Sequence, residues 1–503
     1  MDAVASTEEA VRWLRNRVRG TLRSDSRAVR EGDGFLAWPG EHGDATAHVE
    51  DAFRRGAAGC LVDTQVALPA GVDDKRCAGY ANLKADAGKI AAAFCDYPST
   101  QVTVIAFTGT DGKTSSSVWL SRALSALRKV APIPSAVIGT LGMGVYPDLV
   151  PTGYTTPDGV TLQEGLARFA QRGIRVCALE ASSIGIEEHR LDGTLVHTAV
   201  FTNLSPEHLD YHGDIDTYFR VKSRLFSWPG LQAAVVHVDD TYGHELARQL
   251  GAREARGAIE LWTTSLGAHS WARLCATDIV HSGRTLQCQV REGGRSVALS
   301  VGLIGEYNVA NLLGVIGAMR SLGVPLDAAV ESCSRLSPVP GRMQCVGGHG
   351  QPLIVVDYAH TPGALGKALQ ALRAIAAVRK GRLWCVFGCG GNRDASKRPL
   401  MGAVAASHAD CVVVTSDNPR NEAPDAIISQ ILLGLGGVPD LVVEPDRGLA
   451  IAQAISRASV QDVVLLAGKG HENVQEVASQ RIPFSDLDEA VAALRAFHAK
   501  EAV

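Results

Sequence analysis

Several things are missing from this chain of 503 residues, and each absence narrows what it can be. No uninterrupted apolar run approaches the ~20 residues that a membrane-spanning helix needs, so no membrane span is expected. The 49 Lys and Arg are outnumbered by 53 Asp and Glu, and the net charge of −4 leaves no footprint for nucleic acid. Any polyphosphate would have to be held by a local site. None of the eleven cysteines forms a CxxC pair, Cys385 and Cys389 being the nearest in sequence. That spacing argues against a zinc site or a disulfide framework and for reduced thiols in a cytoplasmic enzyme. The opening MDAVASTEEAVRWLRNRVRG has acidic residues and no apolar centre, so it does not read as a signal peptide. Internal repeats, low-complexity tracts, a nucleophile elbow and a definable Ser–His–Asp set are also missing. The chemistry is therefore expected to be driven by phosphate rather than by a covalent side chain.

What is there is an ordinary globular composition, 46% hydrophobic and 20% charged, at a length that implies two to four domains. The chain is organised around QVTVIAFTGTDGKTSSSV, Gln101–Val118. Gln101–Phe107 reads as a buried parallel strand, Thr108–Lys113 as a glycine turn, and Val118–Leu127 as a helical pattern opened by a Ser/Thr cluster. A strand, a glycine turn and a helix N-terminus bind phosphate through backbone N–H groups and the helix dipole. Lys113 would reach the outer phosphates and the Thr114 hydroxyl would sit on Mg²⁺. Phe107 stands where the usual P-loop has its first glycine, so this is the shorter variant TGTxGKT.

The alternation of elements predicts an α/β protein in three parts. Residues 1–98 read as a small domain with an opening helix, a helix over Ala47–Arg55 and a strand over Gly59–Val62. Residues 99–337 read as a mostly parallel sheet. Its strands are Val176–Leu179, ending in Glu180, then Thr198–Thr202 and Ala233–Val238, with an antiparallel hairpin over Arg284–Val301 and a helix over Gly305–Gly323. Residues 338–503 restart the alternation with strands Leu353–Val356, Leu383–Phe387, Cys411–Thr415 and Val463–Leu466. Ligands in such sheets gather at the carboxyl ends of strands.

Several constellations fall at those ends. Glu180, followed by Ala181-Ser182-Ser183, is a natural Mg²⁺ ligand facing the phosphate loop. His208, near Asp210 and His212, is either a further ligand or a structural hydrogen-bonder. Lys222, on a following helix, reads by spacing alone as a solvated charge. Asp357 and His360 lie just past a strand in VDYAHTP. FGCGGNRDASKRP sets Arg393, Lys397 and Arg398 after a glycine turn, an anion-binding arrangement. SDNPR offers a carboxylate, an amide and a guanidinium, enough to hold both charged ends of an amino acid. GKGHE is a second glycine-lysine turn. The Ser24–Arg27 cluster and the turn Gly40–Asp44 are either a polar ligand site or simple loops.

Together TGTDGKT, TNLSPEHLDYHG, GEYNVANLLG, VDYAHTP, FGCGGNRD, DNPR and AGKGHE resemble the Mur ligase family of bacterial cell-wall synthesis, in family order from about Ser24 almost to the C-terminus. The resemblance implies a nucleotide-sugar domain, a central P-loop-type ATPase domain and a C-terminal Rossmann-like domain. It implies that ATP phosphorylates the D-glutamate carboxylate of UDP-N-acetylmuramoyl-L-alanyl-D-glutamate, and that the amine of meso-diaminopimelate then attacks the acyl phosphate. By the same resemblance Gly109, Thr110, Asp111, Gly112, Lys113, Thr114 and Ser115 hold the ATP phosphates, and Asn308, Asn311, Arg342 and Asp357 contact the nucleotide. Thr114, Glu180 and His208 hold Mg²⁺. Lys222 matches a lysine carrying a CO₂-derived carbamate (N6-carboxylysine), which turns a cation into an anionic oxygen ligand.

Ser24, Ser26, Glu41, His42 and Gly43 match the uridine-nucleotide pocket. Thr155, Thr156, Ser182, Glu188 and Arg190 match the sugar and peptide contacts. Arg393, Asp417, Asn418, Pro419, Arg420, Gly468 and Glu472 match the site for the incoming amino acid. DNPR is the signature of the diaminopimelate-adding branch. Arg420 with Asn418 would take the distal carboxylate, and Asp417 or Glu472 the ammonium. The sequence departs from the family at Asp111, where Asn is common. It also departs at Glu188 for Gln, at Ile184 for a polar residue, at Arg23-Ser24 for Thr-Leu and at Asn392 for Asp. The family expectation is a monomer. The alternatives are an L-lysine-adding ligase, a folylpolyglutamate-synthetase-like ligase, a P-loop phosphotransferase or motor ATPase, and a catalytically silent nucleotide-sugar binder.

Overall fold

The structure, a computed structural model, describes residues 2–40, 45–70, 74–267, 269, 271–437 and 440–501. Its centre is the strand Thr103–Thr108. Ile105 and Phe107 point into one apolar cluster, and Val104 and Ala106 into another on the opposite face. A strand buried on both faces has no polar side to alternate with, which is why its sequence is a continuous apolar run. It lies in the middle of an eleven-stranded sheet. Val176–Glu180 and Ser135–Gly139 follow on one side. Thr198–Phe201, Ala233–His237 and Glu260–Ser265 follow on the other. These six strands are parallel, and both ends of the sheet turn antiparallel. One end is Gly142–Val145 with Asp148–Val150. The other is the expected hairpin Thr285–Glu292/Arg295–Val301, widened by Leu274–Ser282.

Two smaller sheets flank it. The five-stranded one is parallel throughout, in the order Asp2–Ala3, Cys77–Tyr80, Gly59–Asp63, Gly34–Ala37, Leu22–Arg23. The six-stranded one runs Gln344–Gly347, Leu353–Asp357, Val463–Ala467, Leu383–Phe387, Cys411–Val414, Leu441–Val443, with its first strand alone antiparallel. Among the described residues no helix is long and apolar enough to cross a membrane.

One boundary differs from the sequence reading in a way that bears on the site. The helix after the glycine loop spans Lys113–Ser125 and so begins at the loop lysine, five residues before Val118. The serines read as a polar opening are instead buried inside the helix. Ser117 can be buried there because its hydroxyl donates back to Thr114 O at 3.1 Å, which satisfies it within the helix.

Candidate active site

Gly112, in the left-handed region at φ +85°, precedes the helix Lys113–Ser125, and no side chain caps its first turn. The opening N–H groups are therefore left for a ligand, in the geometry that favours an anion. Glycine is required at this position for a second reason. A Cβ on Gly112 would lie 2.3 Å from Asn311 Oδ1, so Asn311 packs directly against the loop. Asn311 in turn donates to Asn308 Oδ1 (3.2 Å), and Asn308 donates to Ile304 O (2.7 Å). Lys113 Nζ folds back onto Gly109 O (2.9 Å) and Thr110 O (2.8 Å). The loop borders a cavity of about 870 Å³ at the carboxyl ends of the central strands, closed from the other side by Arg342, Asp357, His360 and Lys367.

Parallel register sets Glu180 opposite Phe107, so its carboxylate ends beside the loop. It accepts from Thr140 N (2.9 Å), Thr140 Oγ1 (3.1 Å) and Thr114 Oγ1 (2.9 Å). Burial pushes this carboxyl above its ordinary value, against the pull of the nearby Lys113 charge. Gly139 makes the position possible, because a Cβ there would meet Glu180 Oε1 at 2.2 Å. A buried carboxylate beside threonine hydroxyls is a set of hard oxygen donors, so these residues fit Mg²⁺. His208 lies elsewhere on the same cavity, in a left-handed turn at φ +54°, half exposed and 3.9 Å from Glu207. Among the described residues no three His, Cys, Asp or Glu side chains gather to hold a metal. A complete coordination shell would need the threonine hydroxyl and other oxygens.

Lys222 is not the solvated charge that its spacing suggested. It is 1% exposed, with its amine over the Tyr218 ring (4.4 Å) and donating to Gly109 O (2.9 Å), the carbonyl that Lys113 also uses. Burial first, and then the Lys113 charge, push its ammonium well below the usual lysine value. The neutral amine so favoured is the form able to attack CO₂.

Sequence reasoning missed Glu207. Its Oε1 lies 3.2 Å from His360 Nε2, joining the central sheet's residues to those of the six-stranded sheet. Burial opposes it, but the His360 hydrogen bond and charge hold the Glu207 carboxyl well below the usual range. His360 is raised in turn, against its own desolvation. Arg342 stacks over Tyr358 (4.3 Å), reaches Thr114 Oγ1 at 3.5 Å, and leaves a buried Nη1 without a partner. An orphaned guanidinium N–H in a cavity bordered by the glycine loop fits an anionic ligand. Asp357 commits its carboxylate to Met343 N (2.7 Å) and Ala359 N (2.8 Å).

On the acceptor side, Thr155 Oγ1 lies 3.0 Å from Thr140 Oγ1, and Thr156 Oγ1 donates to Glu180 O at 2.7 Å. Ser182 is 3.0 Å from Thr156 Oγ1 and caps Gly185 N. Arg190 donates to Thr156 O (3.0 Å) under Tyr154 (4.7 Å). Glu188 differs from the expected peptide contact in already being engaged. It is paired with Lys84 and accepts from Tyr211 Oη at 2.7 Å, and these hold its carboxyl low against burial. Ser24 donates to Asp158 (2.8 Å), and Ser26 is buried at the start of a short 3₁₀ turn. Glu41, His42 and Gly43 lie outside the described residues.

The amino-acid motifs converge around a lysine that sequence reasoning passed over. Lys469 is fully buried and donates to Asn418 Oδ1 (2.9 Å), Glu472 Oε2 (3.0 Å) and Val474 O (2.7 Å). Asn418 Nδ2 also donates to Glu472 (2.8 Å), so this amide and this carboxylate are turned toward each other. Arg420, at φ +49°, bonds Gly391 O (2.9 Å) and pairs with Glu476 at 3.0 Å. Asp417 is buried with Oδ2 against Gly468, where a Cβ would lie 2.4 Å away. Pro419 O packs on Gly391, and Arg393 is exposed on the same rim.

Comparison with known proteins gives this geometry a family. Residues 107–319 match the Mur ligase middle domain, and residues 341–470 match the Mur ligase, glutamate ligase domain. The chain is 54% identical to a UDP-N-acetylmuramoyl-L-alanyl-D-glutamate--2,6-diaminopimelate ligase from Acidovorax sp. (strain JS42), across 98% of both proteins. It is 43% identical to the ligase of that name from Pseudomonas aeruginosa, across 96% of both. A solved structure of a ligase of that name superposes with a TM-score of 0.64 at 34% identity, covering 95% of each chain. With its glycine loop and strand-end carboxylate in one cavity and a buried lysine donating to the loop, this chain belongs to the Mur ligase family of ATP-dependent amide ligases.

Proposed function

We propose that the protein joins meso-2,6-diaminopimelate to UDP-N-acetylmuramoyl-L-alanyl-D-glutamate at the expense of ATP, in the cytoplasm and as a monomer. The observation that carries the reading is the meeting, in one cavity, of an uncapped helix N-terminus with Lys113, the buried Glu180 and the orphaned Arg342 guanidinium. The full-length similarity to ligases of that name supports the choice of substrates.

In this reading Lys113 and the first-turn N–H groups hold the ATP phosphates, and Arg342 neutralises charge on the transferring phosphoryl group. The D-glutamate carboxylate attacks the γ-phosphorus, ADP leaves, and an acyl phosphate forms. The amine of diaminopimelate then adds to the acyl carbon, and the tetrahedral intermediate collapses to the amide with loss of phosphate and a proton. Thr114, Glu180, His208 and Lys222 as its carbamate would hold Mg²⁺, which supplies charge neutralisation at the phosphate oxygens. Thr155, Thr156, Ser182 and Arg190 orient the acceptor peptide. Arg393, Asp417, Asn418, Arg420 and Glu472 orient the incoming amino acid, with Lys469 fixing the Asn418–Glu472 pair.

The test is phosphate release from ATP with the UDP-muramoyl dipeptide present, adding meso-diaminopimelate, L-lysine or no amino acid. Release with diaminopimelate alone, with a matching mass gain on the nucleotide product, is expected. Release with L-lysine would keep the mechanism and overturn the substrate. Release with neither would indicate a phosphotransferase or ATPase.

A further inference from the structure

The loop that receives the phosphates carries an acid whose backbone is fixed in place. Asp111 N donates to Asn203 Oδ1 (3.0 Å), and Asp111 O accepts from Thr202 Oγ1 (2.7 Å) and Asn203 Nδ2 (3.1 Å). With the backbone pinned on both sides, the carboxylate borders the same cavity as Lys113. Its Oδ2 is buried and receives no hydrogen bond. The side chain as a whole is 32% exposed, but a carboxylate oxygen buried without a hydrogen bond is costly. Here it would also face a polyanion. Its charge is already felt nearby, adding to burial in raising the Asp357 carboxyl.

A cation reaches Asp111 from across the cavity. Lys367 belongs to the helix Pro362–Arg379, which packs on the six-stranded sheet, and its Nζ lies 3.7 Å from Asp111 Oδ2. Lys367 also borders the cavity, so its ammonium lies within reach of the same ligand. We infer that Lys367 is the counter-charge that lets an acidic phosphate loop accept a nucleoside triphosphate. It is a ligand-binding residue whose charge offsets that of Asp111. The inference rests on Gly109–Thr114 being the triphosphate site. At a separation of a few Å the pair cancels most of the field that Asp111 directs at the phosphates. Without Lys367, a full negative charge faces them in a partly desolvated cavity. Partial exposure of both side chains limits the effect to roughly a tenfold change in ATP affinity.

The experiment is a double-mutant cycle on the full chain, reading the Kd for ATP by calorimetry in wild type, Lys367→Met, Asp111→Asn and the double variant. Lys367→Met is expected to weaken ATP about tenfold. Asp111→Asn is expected to bind more tightly than wild type, and the double variant, with both charges gone, to return close to wild-type affinity. Lys367→Arg, which keeps the charge, is expected to retain wild-type affinity and excludes a merely structural loss. The inference is overturned if Lys367→Met has no effect, or if the double variant stays as weak as Lys367→Met. It is also overturned if Asp111→Asn binds more weakly than wild type. Lys113→Ala separates the two levels of the argument. ATP binding unchanged in that variant would remove the nucleotide site itself, whereas its loss alongside a failed cycle would reject the Lys367 role alone.

Discussion

Gly139→Ala isolates the position of one carboxylate from everything else in the fold. The backbone of Gly139 lies outside the left-handed region, so alanine fits its conformation without strain. The added Cβ, however, would stand 2.2 Å from Glu180 Oε1 and 2.8 Å from Cγ and Cδ. To reach an ordinary 3.4 Å contact, the carboxylate must withdraw by about 1.2 Å. It would then leave Thr140 N and the Thr114 hydroxyl, which it holds at 2.9 Å each. Misplacing a reacting group by about 1 Å costs on the order of 10²-fold in rate. The part that yields is the end of a side chain and not backbone, so folding stability should fall by no more than about 2 kcal/mol. The assay is kcat/KM for phosphate release beside the thermal unfolding midpoint. A fall of about 10²-fold with a folded protein is expected. Rates within about twofold of wild type, in a folded variant, would refute the role given to Glu180.

Three further outcomes follow from the same geometry. Burial raises the Glu180 carboxyl in the folded chain, so ionising it costs stability once the pH passes the unfolded value of about 4.3 and costs nothing below it. Glu180→Gln should therefore abolish turnover yet raise the unfolding midpoint of the ligand-free protein near neutral pH, the gain fading as pH falls toward about 4; a lowered midpoint near neutrality would contradict this. Lys222→Ala should abolish turnover and leave a folded protein, and wild-type enzyme depleted of CO₂ should recover activity on adding bicarbonate. Full activity in the variant would sink the carbamate assignment. Arg420→Ala should raise the KM for diaminopimelate about tenfold or more while leaving that for ATP nearly unchanged, and equal effects on both would count against its role.

Much of the fold was legible because it is written locally. Apolar runs such as Val104–Phe107 declare a strand buried on both faces, and glycines at 109 and 112 declare the loop after it. The ordered motifs then identified the family from residue types alone. The helix start at Lys113 was less legible, because serine reads as polar whether its hydroxyl meets water or, as in Ser117, the carbonyl three residues back.

Other features were decided by tertiary structure. Lys222 has a surface lysine's spacing and a core residue's burial, since helical periodicity does not say what packs over a given face. Glu207 meets His360 across 153 residues, and Lys469 meets Asn418 across 51. Lys367 reaches Asp111 from a helix on another sheet. The sequence by itself determined the elements, the glycine loop and the family, because propensity, periodicity and short motifs act over a few residues. Which charges stand together in the cavity was decided when strand ends from different sheets closed on it. Such pairs depend on distances between side chains that no local pattern encodes.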